Sequence, residues 1–273
     1  MTDSKNAGKP IAVIPIVPGD FGRSEEEKER GRRLAETLGG EDPFAEDEEI
    51  ILRRLTEMDS ELLVKALREY EFDPFPDDLP EEVRKAVVGN LFEPHRFFCG
   101  IRLKSEEPNP YAGYVGISDL RDAVPEIEIV LLDGFRRRGI GTRAVRLLTE
   151  KTEEKAGIRI FRARVETENS ACHAFMDSLG AEPKRAAPPF EGISEELLRD
   201  MEDGGPVSEN AERLAAKFGV RPERLTVCVP EYEIDVRNFH MRKNGNAPRS
   251  LGETPSTRYN EDMKNPTRTS GSA

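Results

Sequence analysis

Apolar positions along this chain fall into two rhythms, and their order sketches a fold. Over Phe97–Leu103 and Tyr111–Asp119 they alternate as in antiparallel strands, with a turn near Pro108-Asn109-Pro110 between them. Glu126–Leu132 predicts a further strand. The period then lengthens: Ile140, Ala144, Leu147 and Leu148 recur at helical spacing, predicting a helix to about Lys155. Ile158–Val165 reads as the next strand and Asn169–Gly180 as a second helix. Upstream, Leu62, Leu63, Ala66, Leu67 and Tyr70 share one helix face, entered through the capping-box pattern Thr56-x-x-Asp59. Ser24–Leu38 predicts a charged helix ending at Gly39-Gly40, and Ile11–Val17 a short strand. Three prolines make Phe72–Pro80 a loop, followed by a helix over Glu81–Leu91. Two helical segments, Ser194–Met201 and Ser208–Phe218, separate this part from a final strand at Leu225–Val236. From Met241 onward apolar residues are sparse, as in a disordered tail.

Between the third strand and its helix lies Phe135-Arg136-Arg137-Arg138-Gly139-Ile140-Gly141-Thr142. Glycine lets main chain approach an anion without Cβ interference, and the N–H groups at a helix start have no intrahelical acceptor. The spacing therefore suits a phosphate. Gly139-x-Gly141-x-x-Ala144 also fits a dinucleotide-binding fingerprint, but there the first glycine follows the strand almost directly. Here six residues, Asp133 to Arg138, intervene, and the upstream strands form a meander.

Composition narrows the classes. The 273 residues carry a net charge of −12. Glu41 to Lys85 alone holds 16 acidic against 6 basic residues, which argues against a general nucleic-acid binder. Three cysteines, odd in number and far apart, point to a reducing compartment, and no Cys/His spacing suggests a metal site. The Ile11–Val17 run is interrupted by Pro15 and is too short for a membrane span. A cytoplasmic protein is expected, with no membrane partner.

The R-x-x-G-x-G loop at Arg136–Gly141 resembles that of the GNAT superfamily of acyl-CoA-dependent N-acyltransferases. Asn169 to Gly180 resembles the same family's N-x-x-S-x-x-x-Y-x-K-x-G helix. Leu52-Arg53-Arg54-Leu55-Thr56-Glu57-Met58-Asp59 looks like the opening of its ribosomal-protein N-terminal acetyltransferase branch. The resemblance implies an α/β (α+β) GNAT fold: a mixed, mostly antiparallel central sheet with helices on both faces. It implies an N-terminal extension over 1–49, a GNAT domain over 50–240 with a helical insertion at about 188–224, and a tail over 241–273. It also implies acetyl-CoA as cosubstrate and an amine-bearing small molecule or a peptide N-terminus as acceptor. The oligomeric state stays open, a homodimer included.

The residues implied for the cosubstrate are the main-chain groups of Leu131 and Leu132, the loop Arg136, Arg137, Arg138, Gly139, Ile140, Gly141 and Thr142, and Asn169. Asn169 equally suits an ordinary N-cap. Glu126 and Glu128 fall on one face of the strand, opposite Ile127 and Ile129. Glu128 is the candidate base; Glu126 suits an exposed strand residue better. Where the family places a proton-donating tyrosine this chain has Met176, which cannot donate. Cys172 or His173 could replace it in principle, though a filler or surface role suits each better. A thiol of pKa about 8.5 also leaves unaided at neutral pH for about 2 kcal/mol. The acidic, aromatic stretch of Tyr70, Phe72, Asp73, Phe75, Asp77 and Asp78 would face a cationic amine, with the insertion as lid. A non-catalytic acyl-CoA-binding module, or a partner-binding protein on a degenerate scaffold, is the alternative.

Overall fold

Ser24 starts the first helix by the expected reciprocal pair. Its hydroxyl accepts from the Glu27 N–H, and the Glu27 carboxylate accepts from the Ser24 N–H at 2.8 Å. The helix, α1 (Glu25–Leu38), ends at Gly39. These features come from a computed structural model, which describes residues 22–69, 89, 92–105, 110–189, 192–202 and 206–239. The strand expected over Ile11–Val17, the Phe72–Pro80 loop, the Glu81–Leu91 helix and the tail beyond Met241 lie outside the described residues.

Strands β1 (Ala45–Glu46) and β2 (Ile50–Arg54) form a hairpin whose turn is held by Asp47, its carboxylate accepting from the N–H groups of Glu49 and Ile50 at 2.8 and 2.9 Å. Next come α2 (Ser60–Glu69), β3 (Phe97–Leu103), β4 (Tyr111–Ile117) and β5 (Ile127–Leu131). Together β1 to β5 make an antiparallel sheet in sequence order. The chain continues through α3 (Ile140–Ala156), β6 (Ile160–Arg164), α4 (Ser170–Leu179) and β7 (Glu182–Ala187). Helices α5 (Glu195–Glu202), α6 (Glu209–Phe218) and α7 (Arg224–Val227) precede β8 (Val229–Asp235). The last strands form a second antiparallel sheet, β6-β8-β7.

Helices cover both faces of the first sheet. The α3 residues Ile140, Ala144, Val145 and Leu148 and the α1 residues Ala35 and Leu38 are buried with Leu52, Ile101, Val115 and Ile127. On the opposite face Leu63, Ala66 and Leu67 of α2 pack against Phe98, Tyr111, Tyr114, Val130 and Leu132. A bulge near Ile101/Arg102 puts Tyr111 and Tyr114 on that same face despite their odd spacing. Gly113 permits it: at φ 140, a Cβ there would lie 2.1 Å from the Val130 carbonyl oxygen.

The final strand starts later than expected. Leu225–Val227 has strand-like side chains, yet Arg224–Val227 is a helical turn. Arg224 holds it by donating to Glu202 at 2.7 Å and to Glu195 at 2.8 Å, while Leu225 is buried. The capping carboxylate of Asp59 accepts from the Thr56 N–H and hydroxyl, both at 3.0 Å. It thereby closes a single 3₁₀ turn, Glu57–Asp59, ahead of α2.

Candidate active site

Among the described residues the backbones of the two sheets pair at one point, a parallel bridge between Glu126 and Arg162, where the Arg162 N–H donates to the Pro125 carbonyl at 2.9 Å. Beyond it β5 and β6 diverge. The pleat of β5 decides which groups face the gap. Ser118 N–H donates to the Glu126 carbonyl, and Leu132 N–H to that of Ala112, both at 3.0 Å, so the even-numbered groups point at β4. Those of Ile127, Ile129 and Leu131 point the other way, as Pro125 does.

A cleft of ≈ 620 Å³ opens along this divergence. Ile129 and Leu131 form one wall, and Asn169, Ala171, Cys172, Ala174 and Phe175 form the other. Asp133, Arg136, Arg137, Gly139, Gly141 and Thr142 close one end. At that end Gly139 is left-handed (φ 79) and serves α3 as N-cap without a side chain. Arg137 is left-handed too (φ 59), a strained state for a residue with a Cβ. The first N–H of the α3 ladder is that of Arg143, donated to the Gly139 carbonyl at 3.2 Å. The N–H groups of Ile140, Gly141 and Thr142 precede the ladder, where the helix dipole favours an anion. Alternating left-handed residues followed by a helix start make a concave nest of donors.

The side chains of the loop differ more than their sequence does. Arg136 turns back: its Nε donates to the Leu131 carbonyl at 2.8 Å, and Nη1 meets Asp133 at 2.6 Å. Arg138 lies over the Phe135 ring, its guanidinium carbon 5.6 Å from the centroid. The Ile140 side chain is core, so only its main chain bears on the cleft. Arg143, in the first turn of α3, donates to Asp47, Glu48 and Glu49 at 2.7–2.9 Å, which ties the loop's helix to the β1–β2 hairpin. Leu132 corrects the expectation for the strand end. Its N–H is donated to Ala112 and so is not left for a ligand, and its carbonyl already accepts from Phe135 at 2.9 Å in the turn that follows. The main-chain groups of Ile129 and the Leu131 N–H are the ones that face the gap.

On the far wall Asn169 is both an N-cap and a lining residue. Its Oδ1 accepts from the Cys172 N–H at 3.0 Å. The insertion grips its neighbours. Glu168 accepts from Ser208 at 2.5 Å and Asn210 at 2.9 Å, and Ser170 donates to Asn210 at 3.1 Å. Asn169 and Cys172 share a helix face, but one turn later that face enters the core. Met176 is 2% exposed, and Phe175 takes the place beside the cleft. Neither proposed substitute donor is suited to the task. His173 is buried, with Nδ1 2.7 Å from the Tyr232 hydroxyl and Nε2 3.1 Å from the Glu166 carbonyl. Burial and nearby Lys217 lower its pKa to about 4, so the ring is neutral. Burial pushes the Cys172 thiol up to about 12, too weak an acid to favour protonating a departing thiolate.

Glu128 lies on the opposite face of β5, under α2 and half-buried. Burial raises its pKa, held back by a hydrogen bond from Tyr114 and by the charge of Arg96, while Glu126 pushes it up further. The Tyr114 hydroxyl donates to Glu128 Oε1 at 2.5 Å. Sequence spacing missed this contact because it depends on the register in which β4 pairs with β5, Tyr114 opposite Val130 and Gly116 opposite Glu128. Glu126 is not the exposed residue expected. It is 9% exposed and holds the junction of the sheets, accepting from Arg162 at 3.3 Å and Arg164 at 2.9 Å. Asp73, Asp77 and Asp78 lie outside the described residues. Among the described residues no group of His, Cys, Asp and Glu is arranged to hold a metal ion, and no helix is long and apolar enough to cross a membrane.

A five-stranded antiparallel sheet, a second three-stranded sheet and a helix-start loop beside the divergence match the acetyltransferase fold of one large family. Residues 49–182 match the profile of the GNAT acetyltransferase domain. No curated protein matches the chain in sequence. Among solved structures it is similar to a mutant form of the spermidine/spermine N-acetyltransferase SpeG of Vibrio cholerae. That match has 9% identity and a TM-score of 0.48, over 72% of this chain and 99% of the other. A domain from Methanocaldococcus jannaschii matches at 20% identity and a TM-score of 0.46, over 69% of this chain and 99% of the other.

Proposed function

We propose that this protein is an N-acyltransferase that moves an acetyl group from acetyl-CoA to a primary amine of a small molecule or a protein N-terminus. The observation that carries the reading is the cleft between β5 and β6, closed at one end by the donor nest of residues 137–142. The family uses acetyl-CoA, and the residues present suit it. Donors at the start of α3 and the charge of Arg137 fit a diphosphate. The outward main-chain groups of Ile129 and the Leu131 N–H fit an extended amide-bearing arm, as a missing strand would. Asn169 offers a side-chain amide on the opposite wall. When bound, acetyl-CoA supplies an activated acyl carbon.

The chain's own contribution is to orient and to move a proton. An amine acceptor arrives as ammonium and must lose a proton before it attacks. We assign this step to Glu128, on the α2 face of β5, and its raised pKa brings it closer to the working range of a general base. An outward N–H on β5 supplies the hydrogen bond that a developing oxyanion needs. The acidic, aromatic stretch at 70–78 provides counter-charge for a cationic acceptor. In that case neutralising Asp73, Asp77 and Asp78 raises the acceptor's KM.

Calorimetry with acetyl-CoA is the first test, with a single site per chain as the expected result. Screening an amine library for free-thiol release then identifies the acceptor class. Absence of binding would end the reading. Binding without turnover on any amine would favour a second one, an acyl-CoA-binding module, for which the buried Met176 and neutral His173 speak.

A further inference from the structure

We propose that Tyr114 is a positioning residue for proton removal, fixing one oxygen of Glu128 so that the other is left to take the proton of the amine. The inference rests on the acyltransferase reading and assigns a role to a residue outside the cofactor cleft.

The pair is built into the sheet. Tyr114 stands opposite Val130, and Glu128 opposite Gly116, so the two side chains are diagonal neighbours on one face of β4 and β5. Glycine at 116 keeps the position across from the carboxylate clear, since a Cβ there would meet Phe98 Cδ1 at 2.3 Å and the Phe97 carbonyl at 2.4 Å. Tyr114 is 1% exposed, and the Phe98 ring is edge-on to it at 5.6 Å between centroids. The phenol therefore has no room to swing away. Its hydroxyl reaches Oε1 at 2.5 Å, a charge-assisted contact when Glu128 is ionised. Among the described residues, the charged and titratable groups acting on Glu128 are Tyr114 from β4, Arg96 ahead of β3 and Glu126 just ahead of β5. Tyr111 acts on the pair only through Tyr114.

The step balances without a further reactant. The acceptor ammonium passes one proton to Glu128 Oε2. Its freed lone pair forms the C–N bond, and the C–S bond breaks with its electrons on sulfur. The second nitrogen proton then goes to the thiolate through solvent. Tyr114 keeps its own proton throughout. Its effect is to hold the carboxylate ionised and aimed.

Thiol-release kinetics on Glu128→Gln, Tyr114→Phe and Tyr111→Phe test this between pH 5.5 and 9.5. Tyr111 serves as control because its buried hydroxyl makes no hydrogen bond among the described residues. Tyr114→Phe should lower kcat about tenfold, leave both KM values within about twofold, and move the acid limb of kcat/KM up by about one pH unit. The direction follows because losing a donor destabilises the ionised carboxylate. Glu128→Gln should lose about 100-fold or more. If Glu128→Gln turns over normally, the base reading itself fails. If Glu128→Gln is dead while Tyr114→Phe keeps the wild-type kcat and pH profile, only the present inference fails. Should Tyr114→Phe not fold, difluorotyrosine at 114, a stronger donor, must move the acid limb down; an unmoved limb overturns the proposal.

Discussion

Gly139→Ala isolates the donor nest from every other contribution to binding. Gly139 sits at φ 79, and no atom lies within 4 Å of the place its Cβ would take, so the change adds no clash. What it adds is the left-handed penalty of an L-residue, about 1–2 kcal/mol. That cost must surface somewhere. If the loop keeps its shape, the folded state carries it, and the Tm falls by about 2–8 °C for a domain of this size. If the loop relaxes, binding must restore the shape, and the Kd for acetyl-CoA rises about 5- to 30-fold. Calorimetry and differential scanning fluorimetry on the same samples read both, and the two effects together should account for the whole penalty. A variant unchanged in both Kd and Tm would refute the claim that this backbone geometry is what holds the diphosphate.

Other substitutions probe the supporting structure. Glu126→Ala leaves Arg162 and Arg164 facing each other at the sheet junction. Since both keep about a quarter of their exposure, denaturant unfolding should show a loss of about 2 kcal/mol, short of a fully buried pair. His173 has a folded pKa near 4 against 6.5 unfolded. The unfolded chain therefore binds its proton first, and stability declines as pH falls from 6.5 to 4, by up to about 3 kcal/mol. Urea titrations of His173→Gln should lack that part of the slope. Cys172, with its thiol near 12, should react with iodoacetamide at pH 7.5 about three orders of magnitude more slowly than an exposed cysteine.

Local chemistry was readable in the chain; long-range chemistry was not. The helices around the cleft could be placed because their ends are set by neighbouring residues: Asn169 caps α4, Gly180 ends it, and Gly139 turns into α3. The strands expected over Phe97–Leu103 and Tyr111–Asp119 followed from alternation and the turn between them, the second ending two residues earlier, at Ile117. The short β2 carries Arg53 and Arg54 at its end and gave no clear period. Leu225–Val227 looked like strand because its tie to Glu195 and Glu202 spans more than twenty residues. The contact of Tyr114 with Glu128 depends on the register between β4 and β5, and that of Glu126 with Arg164 on which strands meet. Neither is written in local spacing.

The single bridge between the sheets has a consequence for how the protein keeps to itself. Between Ile129 and Leu131 the outward main-chain groups, apart from the Leu131 carbonyl held by Arg136, form an open strand edge inside the molecule's own gap, bordered by apolar side chains. Open edges recruit other strands, and natural proteins shield them. On the acyltransferase reading the shield is a metabolite, so the thioester pool of the cell also guards this chain against sticking to its own copies.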